Sequence, residues 1–226
     1  MEEIIVSGGY AILRNVQEVK RVRTDDLLAL VAATAGVRTP LLPEGSLLLA
    51  CKGMRKILAT CHPSGRNTFK TKSPDGLETL EIAHPWLVFV HVFEGMAYES
   101  MKVYGASMRP ASEDEPLLRL PFRNLYSDCK VCMGRDVKFS LQGSFASKAE
   151  AAERHFFESA FNSDLDAHAR TAMPEEEGWN QEDSQNPMQI WAERSADEGF
   201  NPLNVPWRKA GLLGEILDGI IGRPKP

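Results

Sequence analysis

The chain has 226 residues, of which 43% are hydrophobic, so it can bury the core of one substantial domain. Its first residues, MEEIIVSGGY, are acidic where a signal peptide would be basic, and its apolar stretches are too short to cross a bilayer, which predicts a cytoplasmic protein with no membrane partner. The four cysteines do not make a disulfide scaffold and are expected to stay reduced. A free thiol is therefore available for chemistry.

The formal net charge of −5 is unevenly distributed along the chain. Residues 164–199 hold ten Asp and Glu against two Arg, a net charge of −8 that leaves +3 on the rest. This acidic segment has few β-branched residues and little apolar periodicity, so we expect it to wrap the surface loosely or to be disordered. The basic residues in VKRVR and KGMRK lack an interleaved aromatic platform, which argues against nucleic-acid binding.

The N-terminal part of the chain predicts strands around one helix. EEIIVSGGYAILRNVQ carries two apolar runs separated by two glycines, which is the pattern of a hairpin or of paired strands. In TDDLLALVAATAGV, Thr24 can cap a helix, two aspartates favour the positive end of its dipole and Gly36 can end it, so we predict a helix over residues 25–35. SLLLACKGMRKILATC then predicts two strands around a Lys-Gly pair.

The middle of the chain predicts an antiparallel meander. After the polar loop PSGRNTFKTKSPDG, the stretch HPWLVFVHVFEGMAYESMKVYG predicts a buried strand, a turn at Gly95 and a second strand. SKAEAAERHFFESAF predicts a helix that begins with a capping box of Ser147 and Glu150, and AGLLGEILDGII predicts a short final helix. This order of elements predicts an α+β fold.

The segment NLYSDCKVCMG, residues 124–134, lies between the predicted sheet and the predicted helix. Its two cysteines form a Cys-x-x-Cys motif, which could act as a zinc site or as a redox site. Cys129 and Cys132 could supply half of a zinc site. The other ligands would be Cys51 and Cys61, or histidines such as His62. The ten-residue spacing of the second cysteine pair disfavours this site. A redox pair would need a helix directly after it, and no helix is predicted before Ser147.

A third interpretation takes Cys132 alone as a carrier of an acyl group. A thioester carrier needs one exposed cysteine on a stiff loop and a hydrogen-bond donor for the oxyanion that forms when an amine attacks. The side-chain amide of Asn124, eight positions earlier, can be that donor. The segment resembles the active-site segment of ubiquitin-conjugating enzymes, in which the asparagine of a His-Pro-Asn motif precedes the catalytic cysteine by this spacing.

Among bacterial proteins, the chain most resembles the PRTRC system protein B group, also described as a prokaryotic ubiquitin-conjugating-enzyme-like family. The resemblance rests on HPWLVFV, PLLRLPFRNLY, VCMG and HFFESAF in this order, and covers about residues 84–161. It implies a ubiquitin-conjugating-enzyme-like fold, an antiparallel meander flanked by helices, without cofactor or metal. We expect an N-terminal strand and helix part over residues 1–80, a core with the active-site segment over 81–163, and an acidic, partly disordered extension over 164–226.

The resemblance also implies a function and partners. Cys132 would accept the C-terminal carboxyl of a ubiquitin-like protein as a thioester and release it to an amine, with Asn124 as the oxyanion donor. The implied partners are a ubiquitin-like protein, a ThiF-type adenylating enzyme and a JAB-type metallopeptidase. The alternative is a catalytically inactive adaptor of the same fold that binds the adenylating enzyme or the ubiquitin-like protein.

Two departures from the pattern of ubiquitin-conjugating enzymes lie inside the segment. Phe122-Arg123 stands where those enzymes have His-Pro, and Cys129 stands where their turn has a glycine. Structural roles remain as alternatives for the candidate residues: Asn124 could cap a turn through its side chain, and Cys132 could be a small buried hydrophobic residue. His155 lies in an apolar helical face and is expected to be a packed core residue.

Overall fold

The computed structural model describes the chain in several ranges, which are residues 3–7, 10–14, 19–23, 44–52, 54–74, 76–134, 143–176, 179 and 185–222. It divides into two units, Met1–Leu41 and Leu42–Pro226. In the first unit, strands β1 (Glu3–Ser7), β2 (Tyr10–Arg14) and β3 (Val19–Arg23) form an antiparallel sheet in that order. The predicted N-terminal pairing of strands is therefore confirmed, and the predicted helix over 25–35 lies outside the described residues.

The second unit contains the remaining strands and the described helices. Its strands are β4 (Ser46–Lys52), β5 (Arg55–His62), β6 (Gly65–Ser73), β7 (Gly76–His84), β8 (Trp86–Glu94), β9 (Ala97–Ala106), β10 (Pro116–Leu118), β11 (Ala160–Phe161) and β12 (Lys209–Leu212). Its helices are α1 (Phe145–Glu158), α2 (Asp166–Ala172), α3 (Pro187–Ala196) and α4 (Leu213–Ile221), with a 3-10 turn at Ser163–Leu165. None of the described helices is long and apolar enough to cross a membrane.

A six-stranded antiparallel sheet forms the centre of the second unit, in the order β12-β10-β9-β8-β5-β4. Strands β8 and β9 are joined by the predicted turn, where Gly95 has φ of 60°, a conformation that favours glycine. Its N–H donates to the carbonyl of Met54 at 2.7 Å, which ties this turn to the neighbouring β4–β5 turn. The α+β fold with an antiparallel meander and flanking helices, predicted from the sequence, is confirmed.

The polar loop predicted over residues 63–76 is wrong. Strands β6 and β7 pair as an antiparallel hairpin along this segment, and β11 joins β6 in parallel to complete a separate three-stranded sheet. The buried side chains of Phe69 and Thr71 alternate there with the exposed Lys70 and Lys72. Because only one face of this strand is apolar and half of its residues are polar, its composition resembles that of a loop.

Helix α1 packs against the sheet and contributes to the main core. Phe156 is fully buried and its ring lies 5.5 Å from that of Phe89 on β8 and 5.1 Å from that of Phe122. The helix begins one turn earlier than predicted: the capping residue is Ser144, whose hydroxyl accepts from the Ser147 N–H at 3.2 Å. The predicted box of Ser147 and Glu150 is therefore wrong in position, since both residues lie inside the helix.

The acidic segment contains helices in the part of it that the structure describes. Its described residues form α2 and α3, and α3 begins at the sequence Asn186-Pro187, whose asparagine caps the helix. Trp191 is fully buried and donates to the carbonyl of Ala83 at 3.0 Å. Buried apolar residues such as Met188, Ile190 and Trp191 hold α3 in place, although the average composition of the segment is polar. The short final helix is confirmed as α4, and the proposed boundaries at 80 and 163 stay predictions.

A buried carboxylate fastens α1 to the sheet. The carboxylate of Glu153 accepts from Thr60 Oγ1 at 2.5 Å and lies 2.8 Å from His91 Nε2 and 2.7 Å from His62 Nε2. Burial alone would raise the pKa of Glu153, but the hydrogen bonds from His62, His91 and Thr60 lower it to about 2. The ionised form of Glu153 therefore fixes the position of α1 relative to β5 and β8.

Replacing Glu153 by Gln is expected to lower the free energy of unfolding at pH 7 by about 3 kcal/mol. This magnitude follows from the pKa of Glu153, which falls from its ordinary value of 4.5 to about 2 on folding. Because folding lowers this pKa, the stabilisation is present above about pH 4.5 and is lost as the pH falls towards 2. Urea unfolding at pH 7, 5 and 3 should show the difference shrinking at low pH. Glu150→Gln, at an exposed position of the same helix, is the control, and equal stabilities of Glu153→Gln and Glu150→Gln at pH 7 would contradict the assignment.

Candidate active site

The segment from Asn124 to Cys132 folds as a closed loop with its two ends paired. The N–H of Cys132 donates to the carbonyl of Asn124 at 2.7 Å, and Leu125 forms an antiparallel bridge with Val131. The Tyr126 N–H donates to the carbonyl of Lys130 at 2.9 Å and closes the next rung. Asn124 and Cys132, which the sequence predicts as partners, are therefore opposite each other at the base of this loop.

Backbone hydrogen bonds also attach the loop to β9 of the central sheet. The N–H of Val131 donates to the carbonyl of Met101 at 2.8 Å, and the N–H of Val103 donates to the carbonyl of Cys129 at 3.0 Å. The side chain of Val131 is buried in the main core, whereas Cys132 is exposed. The sheet thus holds the loop in place through Val131, and the following residue, Cys132, presents its thiol to the surface.

Cys129 is a structural residue of the turn. Its φ is 64°, in the left-handed region that favours glycine, and its N–H donates to the carbonyl of Tyr126 at 2.8 Å. Only 5% of the residue is exposed, and burial raises the pKa of its thiol to about 11. The turn therefore keeps the backbone conformation of a glycine, and the extra thiol stays protonated in the core. No group of three or more His, Cys, Asp or Glu in the described ranges could hold a metal ion.

Phe122 and Arg123 anchor the loop from the other side. Phe122 is fully buried, with its ring 5.1 Å from that of Trp191. Arg123 is 4% exposed, and its guanidinium donates to both carboxylate oxygens of Asp166, at 2.5 and 2.8 Å, and to Thr71 Oγ1 at 2.7 Å. A guanidinium held at both ends in this way is fixed in orientation. This dipeptide therefore anchors the chain at the place where ubiquitin-conjugating enzymes have His-Pro.

Asn124 and Cys132 border one cavity of about 210 Å³. The other residues that line it are Met133, Gly134, His155, Ser159, Ala160, Phe161, Asn162 and Leu165. The walls thus come from the loop, from the end of α1 and from the turn that leads into α2.

His155 lies in the wall of this cavity and not in the core, where the sequence predicts it. The side chain is only partly buried, whereas the next residue, Phe156, is the one that enters the core. His155 and Ser159 are four residues apart and both line the cavity. Two polar residues four apart lie on the same face of a helix. The pair His155 and Ser159 therefore indicates a helical face that borders a cavity, beside the apolar face that packs in the core.

Asn124 is 7% exposed, and its Oδ1 is buried with no hydrogen-bond partner among the described residues. A turn-capping asparagine would use this oxygen to accept a backbone N–H. Leaving a buried amide oxygen unpaired costs about 1–3 kcal/mol. Among the described residues, Asn124 therefore does not cap a turn through this oxygen.

Tyr126 contacts the same thiol. A hydrogen bond with Cys132, together with the negative charge that this thiol can carry, raises the pKa of the exposed Tyr126 phenol. The ring of Tyr126 also lies 6.2 Å from that of His168 on α2. Cys132 thus lines the cavity and also forms a hydrogen bond with the Tyr126 hydroxyl.

A family model described as prokaryotic E2 family D matches residues 25–195 of the chain. The chain belongs to prokaryotic E2 family D. No curated protein and no solved structure shows a significant match. Membership makes this chain an E2-like protein, a relative of ubiquitin-conjugating enzymes, and the matched range includes both Asn124 and Cys132.

In this family D protein, replacement of Arg123 by Met is expected to lower the free energy of unfolding by about 2–4 kcal/mol. It leaves the carboxylate of Asp166 without its buried partner and removes one of the hydrogen bonds of the Thr71 hydroxyl. Asp166→Asn should lower it as well. The matched control is Asp197→Asn, since the pair of Asp197 with Arg194 is exposed and is expected to contribute at most about 0.5 kcal/mol. Chemical denaturation of the four proteins measures these differences, and equal stabilities of the Asp166 and Asp197 variants would show that the pair does not anchor the loop.

Proposed function

We propose that this E2-like protein is an enzyme that accepts the C-terminal carboxyl of a ubiquitin-like protein as a thioester on Cys132 and transfers it to an amine. The observation that carries the proposal is the placement of an exposed thiol opposite Asn124, at the mouth of a cavity that both residues border. An exposed nucleophile and an amide on a stiff loop are what acyl transfer requires.

The loading step is an exchange between two thioesters. The Cys132 thiolate attacks the carbonyl carbon of the incoming thioester, a new C–S bond forms, and the thiolate of the adenylating enzyme leaves. Because the bond broken and the bond formed are of the same kind, no strong local base is needed. The cavity beside Cys132 offers a place for the narrow C-terminal end of the ubiquitin-like protein.

The transfer step places negative charge on the carbonyl oxygen when an amine attacks the thioester. The amide of Asn124 borders the cavity at this point, so an N–H of this group can donate to the oxyanion. The attacking nitrogen must also lose a proton. Apart from Cys132, His155 is the acid–base side chain among the described residues of the cavity wall, and we assign it as the acceptor of this proton.

The proposal extends to the setting of the reaction. The resemblance to the PRTRC system protein B group supports a cytoplasmic pathway in which a ThiF-type adenylating enzyme loads the ubiquitin-like protein and a JAB-type metallopeptidase acts in the same system. The alternative is an inactive adaptor of the same fold. Exposure of Cys132 favours the enzyme over the adaptor, because a purely structural cysteine is usually buried.

Reconstitution with the adenylating enzyme and the ubiquitin-like protein, read on a non-reducing gel, tests the proposal. The wild-type protein is expected to form a thiol-sensitive adduct, and Cys132→Ser should form an oxyester that survives thiol but not alkali. Cys129→Ala is the matched control and should still form the thiol-sensitive adduct, since Cys129 is buried. A thiol-sensitive adduct that persists in Cys132→Ala would remove Cys132 from the mechanism, and the absence of any adduct in the wild type would favour the adaptor.

A further inference from the structure

Two side chains on the active-site loop point the same way. Lys130 and Cys132 are exposed, and Val131 between them is buried. Lys130 and Val131 both take part in antiparallel bridges, so the backbone here is extended. In extended backbone, residues two apart lie on one face, with their Cα atoms about 6.8 Å from each other. The amine of Lys130 therefore shares the outer face of the loop with the thiol of Cys132.

The ammonium groups of Lys102 and Lys130 differ in their contacts. The ammonium of Lys102, across the bridge from Lys130, donates to the carboxylate of Asp128 at 2.7 Å and to the carbonyl of the same residue at 3.0 Å. The second carboxylate oxygen of Asp128 accepts from the backbone N–H of Lys130 at 3.1 Å. Among the described residues, the ammonium of Lys130 has no hydrogen bond and no ion pair.

We propose that Lys130 is a self-modification site, which takes an acyl group carried as a thioester on Cys132. This inference rests on the proposed function, because it needs a loaded Cys132. Its substrate class is an acyl thioester with a narrow, glycine-like chain end. The product is an amide on the Lys130 side chain.

The reaction is balanced without a further reagent. The Lys130 ammonium loses a proton to water, and the neutral amine attacks the carbonyl carbon of the thioester. A C–N bond forms, the C–S bond breaks, and Cys132 leaves as a thiolate. The attacking nitrogen gives up its second proton to this thiolate, directly or through water. Because both groups are on one short stretch of backbone, the attack is intramolecular and gains from the high effective concentration of the amine.

A synthetic peptide that ends in Gly-Gly, supplied as its mercaptoethanesulfonate thioester, can test this inference on the full chain without any partner protein. The peptide should first enter Cys132 by thioester exchange and then appear on Lys130 as an amide. Intact mass before and after dithiothreitol separates the two products, because only the thioester is cleaved, and peptide mapping locates the amide. Lys130→Arg should abolish the thiol-resistant product and prolong the life of the thiol-sensitive one.

Two controls are present in the chain. Lys102→Arg should leave the resistant product unchanged, since Lys102 is held by Asp128. The exposed Cys51 is followed directly by Lys52, whose side chain alternates to the other face and donates to the carbonyl of Gly222 at 2.6 Å. Thioester exchange at Cys51 should therefore give no amide at Lys52.

The possible results separate this inference from the function on which it rests. An amide on Lys130 that falls at least about tenfold in Cys132→Ala supports both, since the effective concentration in such reactions is large. A thioester on Cys132 without an amide on Lys130, or an equal amide in Cys132→Ala, overturns the self-modification and leaves the proposed function standing. If Cys132 never forms a thioester with the peptide, the self-modification is overturned together with the proposed function on which it rests.

Discussion

The guanidinium of Arg123 is the contact on which the rest of the candidate site depends. It lies directly before Asn124 and binds Asp166 at the start of α2 and Thr71 on β6. It thereby joins the loop that carries Asn124 to the helix that follows the opposite wall of the cavity. A buried charge is costly unless its partners satisfy it, and here a carboxylate, a hydroxyl and the carbonyl of Lys72 do so. The ion pair thus links the residue before Asn124 to the residue after Leu165, and both Asn124 and Leu165 line the cavity.

The loop also separates its two thiols by a simple alternation. From Cys129 to Cys132, buried and exposed residues alternate one by one. Cys129 faces inwards in a left-handed turn, where burial raises its pKa and protects it from reaction. Cys132 faces outwards beside the cavity and Tyr126. Two cysteines three positions apart thus differ in exposure, whereas a zinc or redox pair would need both thiols at one site.

Sequence patterns predicted the elements whose burial is local in origin. Strands β8 and β9 can be predicted because each is marked by a local apolar run. The pairing of Asn124 with Cys132 can be predicted because the two residues are only eight positions apart. The hairpin of β6 and β7 was not predicted, since half of each strand is polar. The anchoring role of Arg123 could not be predicted either, because its partners are 52 and 43 residues away along the chain. His155 was misplaced because one helix carries both a core face and a cavity face.

The rate of discharge in an Asn124→Ala variant tests the central claim, that an amide aimed at the thioester of Cys132 makes this protein an enzyme. An oxyanion donor acts only in the transition state, so single-turnover loading should be nearly unchanged and discharge to an amine should slow by about 10- to 1000-fold. Asn162→Ala is the matched control, because Asn162 lines the same cavity but its amide is bonded to Asp164 at 2.8 Å. Equal losses of loading and discharge with a lowered melting temperature would show that Asn124 only supports the loop, and the claim would be withdrawn.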